Sequence, residues 1–497
     1  MSRMSAPGLA CCMRRLAVLV VGLLVVACAA PGPTHAPLAL TGPGALGLDA
    51  RPSAPMGERW WADWGDPQLT ALMDMALQGH PSLALARARV ARAEALAAVR
   101  GAAASPQVSL GADLAVQRYS ENGHMTAPIA GSLRDTGTVR ATLGWSPDLF
   151  GQQALDLASA LDQARAVQAD AALAATGLAA QLGRGYVALA RLLAHREVGL
   201  RALAQREQLL QLVQARVTAG LDSQLELTLA QGAVPDARYQ IEAIDEQIAL
   251  ARRQLAVLSG QPAQALDALA PALQQLRPET PPAALGTDLL GRRADVVAAR
   301  WRVESALQDV ALARTQFYPN LNIGAFVGLN ALGLAQLLRA GSMELGITPA
   351  LRLPLFDGDR LRHQLGARQA ELDAAIAQYN GVLLDAVREA GDALGSDGSL
   401  KRQRTQQADV LTGAARTAQL ARLRFDAGLG NYLAVLEAES PWLVQRRLGI
   451  DLLARQLDNQ MLLIKALGGG WRDDTIPTRP ASHAYRAGSP PNPKDVP

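Results

Sequence analysis

The side chains that could carry out covalent or metal chemistry form no catalytic motif in this 497-residue chain. The histidines show no metal-ligand spacing, and the sequence has neither a phosphate-binding glycine loop nor a nucleophile elbow. We therefore expect no enzymatic activity, no metal site and no soluble cofactor. The histidines concerned are His35, His80, His124, His195, His363 and His483.

One cysteine lies in a context that predicts a modification. Two arginines precede the apolar run 16–27, which is the pattern of a secretory signal. The tetrapeptide 25–28, Val-Val-Ala-Cys, resembles a bacterial lipobox, with Val in place of the usual Leu. We expect cleavage before Cys28, followed by attachment of a diacylglycerol and an N-acyl chain. Alanine rather than Asp follows as residue 29, and the resemblance then implies export to the outer membrane. Ordinary cleavage beside an incidental cysteine is the alternative.

Composition restricts the class of protein. A mean hydropathy of +0.06 is too low for a polytopic helical membrane protein and too high for a disordered one. The net charge of +3 comes from Arg3, Arg14 and Arg15 in the signal. The mature chain is therefore formally neutral, and we expect no nucleic-acid partner. Cys11 and Cys12 are also lost with the signal, which leaves no disulfide framework.

The sequence contains two copies of one pattern, since four markers recur in the same order. Each copy has a long proline-free run that is rich in helix-forming residues and has apolar residues at steps of three and four. The run from 152 to 219 predicts a helix on the order of 100 Å long. The matching segments are 105–110 with 318–323, 148–151 with 354–358, 216–221 with 424–429, and 258–260 with 467–469.

Each long run is predicted to reverse direction at a glycine. Gly220 and Gly428 can adopt the left-handed conformation that ends a helix, so each copy is predicted to be a helical hairpin. Pro235 and Pro441 are expected to kink the returning helices. The glycine-containing segment 395–398 predicts an irregularity in the second long helix.

Four segments before the hairpins alternate apolar and polar residues. Period two over about ten residues is typical of strands that cross an outer membrane. A half-buried soluble sheet is the commoner meaning of such alternation. If the strands are in lipid, four cannot close a barrel, because the smallest barrels have about eight, so several copies must join. The segments are 108–116, 138–145, 320–327 and 342–352.

Three motifs then resemble the TolC-like outer membrane efflux family, in its NodT-like lipoprotein branch. The resemblance covers residues 58–471, although Ala294 stands where the family commonly has Pro. It implies a mainly α chain with membrane β structure, in which a homotrimer forms one outer-membrane β-barrel that continues into a periplasmic α-helical barrel. The motifs are 60–69 (WWADWGDPQL), 353–358 (LPLFDG) and 465–471 (KALGGGW).

The resemblance also implies a function and its partners. We expect a passive exit duct for drugs or other toxic small molecules, anchored in the outer membrane lipid of a Gram-negative bacterium. A periplasmic adaptor and an inner-membrane transporter of the RND type are the implied partners. A conduit for type I protein secretion and a structural or adaptor coiled-coil lipoprotein are the alternatives. The expected organisation is signal peptide 1–27, lipidated tether 28–57, first repeat 58–265, linker 266–287, second repeat 288–471 and disordered tail 472–497.

A duct of this kind needs a gate and a docking surface. By the resemblance, Leu433 and Glu437 match the family's constricting positions, and they lie one helical turn apart. Three Glu437 carboxylates around an axis would repel one another and attract cations. A solvated helix residue is the alternative for Glu437. Leu225 and Leu229 stand at the matching places of the first copy.

Docking of the adaptor is expected at the exposed hairpin tips. Leucines on a turn surrounded by water suggest a partner helix, whereas the glycines are fully explained by building the turn. The expected docking residues are Arg216, Gly220, Leu221, Ser223, Arg424, Gly428 and Leu429.

Overall fold

The computed structural model describes residues 36–42, 46, 57–277 and 289–473. Cys28, the signal and the tail from residue 474 lie outside the described residues. The helices are α1 (Pro67–Gly79), α2 (Pro81–Ala102), α3 (Gln152–Thr218), α4 (Gln224–Leu258), α5 (Ala294–Thr315), α6 (Arg360–Asp426) and α7 (Tyr432–Ala466). The strands are β1 (Gln107–Arg118), β2 (Leu133–Trp145), β3 (Asn320–Leu332) and β4 (Met343–Arg352). Short helical turns lie at Trp60–Trp64, Leu273–Gln275, Leu289–Arg292, Leu334–Gln336 and Ala340–Ser342.

The described residues divide into two compact units, and each sequence copy contributes to both. The strand unit contains 36–40, 89–167 and 299–380, and therefore all four strands. The helical unit contains 41–42, 46, 57–88, 168–277, 289–298 and 381–473, and therefore both hairpin tips.

The strands form one antiparallel sheet in the order β1-β2-β3-β4. β2 pairs with β3, so the sheet joins the two sequence copies. All four predicted strands are present. β2 begins at Leu133 rather than near 138, because Leu133 still pairs with Arg118 of β1. β3 similarly continues to Leu332, opposite Thr136.

The two faces of this sheet differ in polarity. One face presents apolar side chains that are largely exposed, as Leu110 at 76% and Ile347 at 75% illustrate. The other face carries mainly glycine, polar and charged residues, and the Ser109 and Thr142 hydroxyls lie 2.8 Å apart on it. β1 and β4 form the edges, and neither pairs with a further strand among the described residues.

Both long helices, α3 and α6, have 67 residues, so each is about 100 Å long. The irregularity predicted at 395–398 is wrong, because α6 continues through this segment without a break. Each glycine costs about 1 kcal/mol relative to Ala, but packing of neighbouring residues outweighs that preference. Ala393 and Leu400 are buried on either side of the segment. Asp397 forms an ion pair with Lys401, with the Lys401 Nζ 2.7 Å from a carboxylate oxygen.

The returning helices α4 and α7 have 35 residues each. Both continue past their internal prolines, Pro235 and Pro441. Glycines with left-handed φ values of 72° at Gly220 and 75° at Gly428 make the reversals before them. Both predicted hairpin turns are thus confirmed.

A hydrophobic core in the helical unit holds the N-terminal helices against the hairpins. Trp64, Leu69 and Met73 pack there with α3 side chains such as Leu182 and with α7 side chains such as Met461. Part of the predicted linker also contributes to this core. Its buried members are Leu266, Leu273 and Leu276.

Candidate functional site

The first hairpin tip connects α3 to α4 through a tight turn held by backbone hydrogen bonds. The Leu221 amide donates to the Arg216 carbonyl at 2.8 Å. Ser223 caps α4, because its hydroxyl accepts from the Leu225 amide at 3.2 Å and its own amide donates to Glu226 at 3.0 Å. Ser223, predicted as a docking residue, therefore has a structural role in the turn.

Arg216 forms an internal clamp across this turn. Its Nε lies 2.7 Å from one oxygen of Asp222 and its Nη2 lies 2.8 Å from the other. These hydrogen bonds lower the pKa of Asp222, and burial opposes them more weakly. A bidentate pair of this kind satisfies both charges inside the chain. The charge of Arg216 is consequently compensated before any partner arrives.

The second tip lacks such a clamp. The position that matches Asp222 is Gly430, and Arg424 is exposed with no carboxylate partner among the described residues. An aromatic pair closes the turn instead, with the rings of Phe425 and Tyr432 at 5.1 Å between centroids. The guanidinium carbon of Arg422 lies 5.5 Å from the Tyr432 ring centre. The two tips therefore differ in exposed charge.

Both tips expose leucines, as the sequence predicts. Leu221 is 66% exposed and Leu429 is 73% exposed. Leu225 and Leu229 of the first tip are 65% and 66% exposed. Neither tip buries these side chains within the chain, so each presents apolar area next to its turn.

The two residues expected at the gate lie on the first turns of α7. Leu433 is half-buried, and Glu437 is exposed with no ion pair among the described residues. The adjacent Leu436 is buried, at 2% exposure. Its carbonyl accepts a hydrogen bond from Gln205 of α3. Within one chain, Glu437 is therefore an exposed position directly after a buried one.

Polar contacts join α3 to α7 along the helical unit, and sequence spacing gave no signal for them. The Tyr432 hydroxyl donates to Gln208 at 2.8 Å. His195 is 8% exposed, and its Nε2 lies 2.8 Å from Asp451. Asp458 accepts from Arg184 at 2.6 Å. Their partners lie hundreds of residues apart in the chain, which is why local patterns cannot reveal them.

A buried hydrogen bond ties the N-terminal helix α1 to α3. The Tyr186 hydroxyl, 0% exposed, donates to Asp66 at 2.6 Å. Asp66 also caps α1 by accepting from the Gln68 amide at 2.8 Å. Burial, and then the hydrogen bond to Asp66, raise the pKa of Tyr186. Tyr186 therefore remains a neutral donor.

Within the described ranges, no three His, Cys, Asp or Glu side chains come close enough together to hold a metal ion. The helices described here include none that combines the length and apolar character needed to cross a membrane.

Comparisons with known proteins agree on one family. A family model described as "Outer membrane efflux protein" matches residues 72–261 and 285–469. Multidrug resistance outer membrane protein MdtQ of Escherichia coli O157:H7 is 31% identical over 472 residues, covering 90% of this chain and 96% of that protein. Fusaric acid resistance protein FusA of Burkholderia cepacia is 37% identical over 369 residues, covering 71% and 69%. The crystal structure of the outer membrane protein VceC of Vibrio cholerae matches with a TM-score of 0.75 and 32% identity, covering 84% of this chain and 99% of that one.

Proposed function

Since the chain belongs to the outer membrane efflux protein family, we propose that three copies form the exit duct of a tripartite efflux pump. The chain is an outer-membrane efflux channel and not an enzyme, and the predicted family and fold class are confirmed. The same membership excludes a periplasmic adaptor and a purely structural coiled coil. It leaves assembly, partners and cargo as the matters proposed here.

The exposed apolar face of the sheet supports assembly in lipid. Side chains such as Leu110 and Ile347 are about three-quarters exposed, and their transfer from water to hydrocarbon lowers the free energy. The edges β1 and β4 cannot stay unpaired there, because an unsatisfied backbone group costs several kcal/mol in lipid. Pairing β1 of one copy with β4 of the next closes the edges. Three copies supply enough strands for a barrel with a water-filled lumen.

Differences between the tips support a contact with a periplasmic adaptor. Leu221 and Leu429 provide exposed apolar anchors, while Arg424 provides an exposed cation that has no carboxylate partner in the part of the chain that the structure describes. An adaptor segment with apolar residues and a carboxylate would match this surface. The adaptor would connect the duct to an inner-membrane transporter, which we propose to be of the RND type.

The names of the relatives favour small-molecule cargo over secreted protein. MdtQ is named for multidrug resistance and FusA for fusaric acid resistance. We propose that drugs or similar toxic compounds pass along the duct by diffusion, with Glu437 and Leu433 as the gate at the periplasmic end. A lipid-modified Cys28 would add an anchor to the membrane.

Two measurements test this proposal. Purified protein in planar lipid bilayers is expected to give discrete conducting steps. A deletion strain is expected to become more sensitive to several toxic compounds, and the wild-type gene is expected to restore resistance. Protein that inserts into bilayers without conducting, or a deletion that changes no sensitivity, would contradict it.

A further inference from the structure

A stacked cluster lies on the polar face of the sheet. Arg140 of β2 places its guanidinium carbon 4.7 Å from the ring centre of Phe326 on β3. The Arg140 Nε donates to Glu344 of β4 at 2.8 Å, and its Nη2 bonds the same oxygen. The Arg140 and Glu344 side chains remain 36% and 27% exposed. A cation held between a ring and a carboxylate is fixed in position, yet it still faces solvent.

Two glycines leave the space that this cluster occupies. Gly328 is paired with Arg140 on one side and Glu344 on the other, so the ion pair must cross it. A Cβ at Gly328 would collide with the Val139 carbonyl oxygen and lie 2.7 Å from the Arg140 Cα, so the backbone of β2 approaches too closely for a side chain there. At Gly346, a Cβ would lie 2.7 Å from two carbons of the Phe326 ring. Gly346 thus leaves room for the Phe326 ring, and Gly328 keeps the space beneath the ion pair free of a third side chain.

Charges on this face are unevenly distributed along the strands. Asp113 of β1 lies on the same face, opposite Thr138, which is two residues from Arg140. The middle of the face thus carries two carboxylates and one guanidinium. The other charged strand residues on this face are Arg134 and Arg352, near the strand ends.

We infer that Asp113, Arg140, Phe326 and Glu344 form an ion-selectivity ring inside the barrel, separate from Glu437. This inference rests on the proposed function, because only a closed barrel turns the polar face toward a lumen. Three copies would place a net negative ring around the pathway. Because Glu344 compensates the charge of Arg140, the carboxylate of Asp113 gives the ring its sign. Cations and cationic solutes are therefore favoured.

The ring is tested by the potassium-to-chloride permeability ratio of single channels in planar bilayers. The salt should be about 0.1 M, where charges act over about 10 Å, so that the ring is measured apart from Arg134 and Arg352 near the strand ends. Glu344→Gln is expected to lower the ratio about twofold or more, and Arg140→Gln to raise it similarly. The double variant keeps the net charge of the ring and is expected to return close to the wild-type ratio.

Two further variants keep the test decisive. Glu121→Gln removes a carboxylate that is 73% exposed in the loop after β1, and it is expected to leave the ratio unchanged. Asp113→Asn removes one negative charge per copy and leaves the stack of Arg140, Phe326 and Glu344 unchanged. It is therefore expected to lower the permeability ratio even if Glu344→Gln fails to insert. Conducting channels in which Glu344→Gln and Asp113→Asn leave the ratio unaltered would overturn the ring while the duct survives. A wild-type protein that forms no pore would overturn the proposed function and the ring together.

Discussion

Replacing Tyr186 with Phe removes one buried hydrogen bond and preserves the shape of the side chain. The Tyr186 hydroxyl donates to Asp66 at 2.6 Å, and both residues are buried, at 0% and 8% exposure. In the variant, Asp66 keeps its capping bond from the Gln68 amide but loses its side-chain donor. The perturbation therefore isolates the link between α1 and α3.

The expected cost follows from the charge of the acceptor. A hydrogen bond to a charged group contributes about 1.5–3 kcal/mol, so Tyr186→Phe should lower the free energy of unfolding by about 2 kcal/mol. Asp66→Ala also removes a helix cap, which contributes about 1 kcal/mol more. Because the pKa of Tyr186 is raised, this stabilisation is present below the ordinary tyrosine pKa of about 10 and is lost as pH rises past the folded value.

Denaturant unfolding of the detergent-solubilised protein, followed by tryptophan fluorescence, measures this cost near pH 7. Three of the seven tryptophans, Trp60, Trp61 and Trp64, are buried in the same core and report on it. Tyr239→Phe is the matched control, because Tyr239 is 73% exposed, and it should change stability by less than about 0.5 kcal/mol. Equal effects of Tyr186→Phe and Tyr239→Phe would refute the reasoning.

Three further predictions concern the gate, the first tip and the anchor. Glu437→Ala should change single-channel conductance and reduce cation preference, whereas Glu439→Ala should change both less; unaltered channels would remove the gate assignment. Because hydrogen bonds from Arg216 lower the pKa of Asp222, the clamp is complete above the ordinary carboxyl pKa of about 4 and is lost as pH falls through the lower folded value. Proteolysis of the first tip should therefore accelerate below that pH in wild type, and Arg216→Gln should show fast cleavage at neutral pH; a pH-independent wild-type rate contradicts the clamp. Cys28→Ser should abolish incorporation of radiolabelled palmitate, and retained label would place the acyl group elsewhere.

Local sequence patterns predicted the secondary structure well because its determinants are local. Gly220 ends α3 and Ser223 begins α4, each through hydrogen bonds to residues a few positions away. The hairpin turn could therefore be predicted from the local sequence. Alternation likewise predicted the strands. The wrong prediction at 395–398 overestimated local glycine preference, which packing around Ala393 and Leu400 overrides.

Residue pairs distant in the chain could not be predicted in this way. Spacing does not reveal that Arg140 meets Glu344, or that His195 meets Asp451, because these contacts depend on how separate elements pack. The clamp of Arg216 is different. Asp222 lies just across the turn, and its replacement by Gly430 in the second copy was a visible signal that the two tips differ.

In the proposed assembly, copies of this chain join edge to edge through β1 and β4. Within one chain these strands are separated by β2 and β3, about 14 Å apart, which is too far for a disulfide. Cysteines introduced together at Ser109 of β1 and at Thr348 or Ala350 of β4 can therefore cross-link only between copies, with the unsubstituted chain controlling for its own cysteines. Mild oxidation of outer membranes should give covalent dimers and trimers, with the trimer as the largest species. Monomers alone for every pair, or a ladder that extends beyond the trimer, would contradict the account.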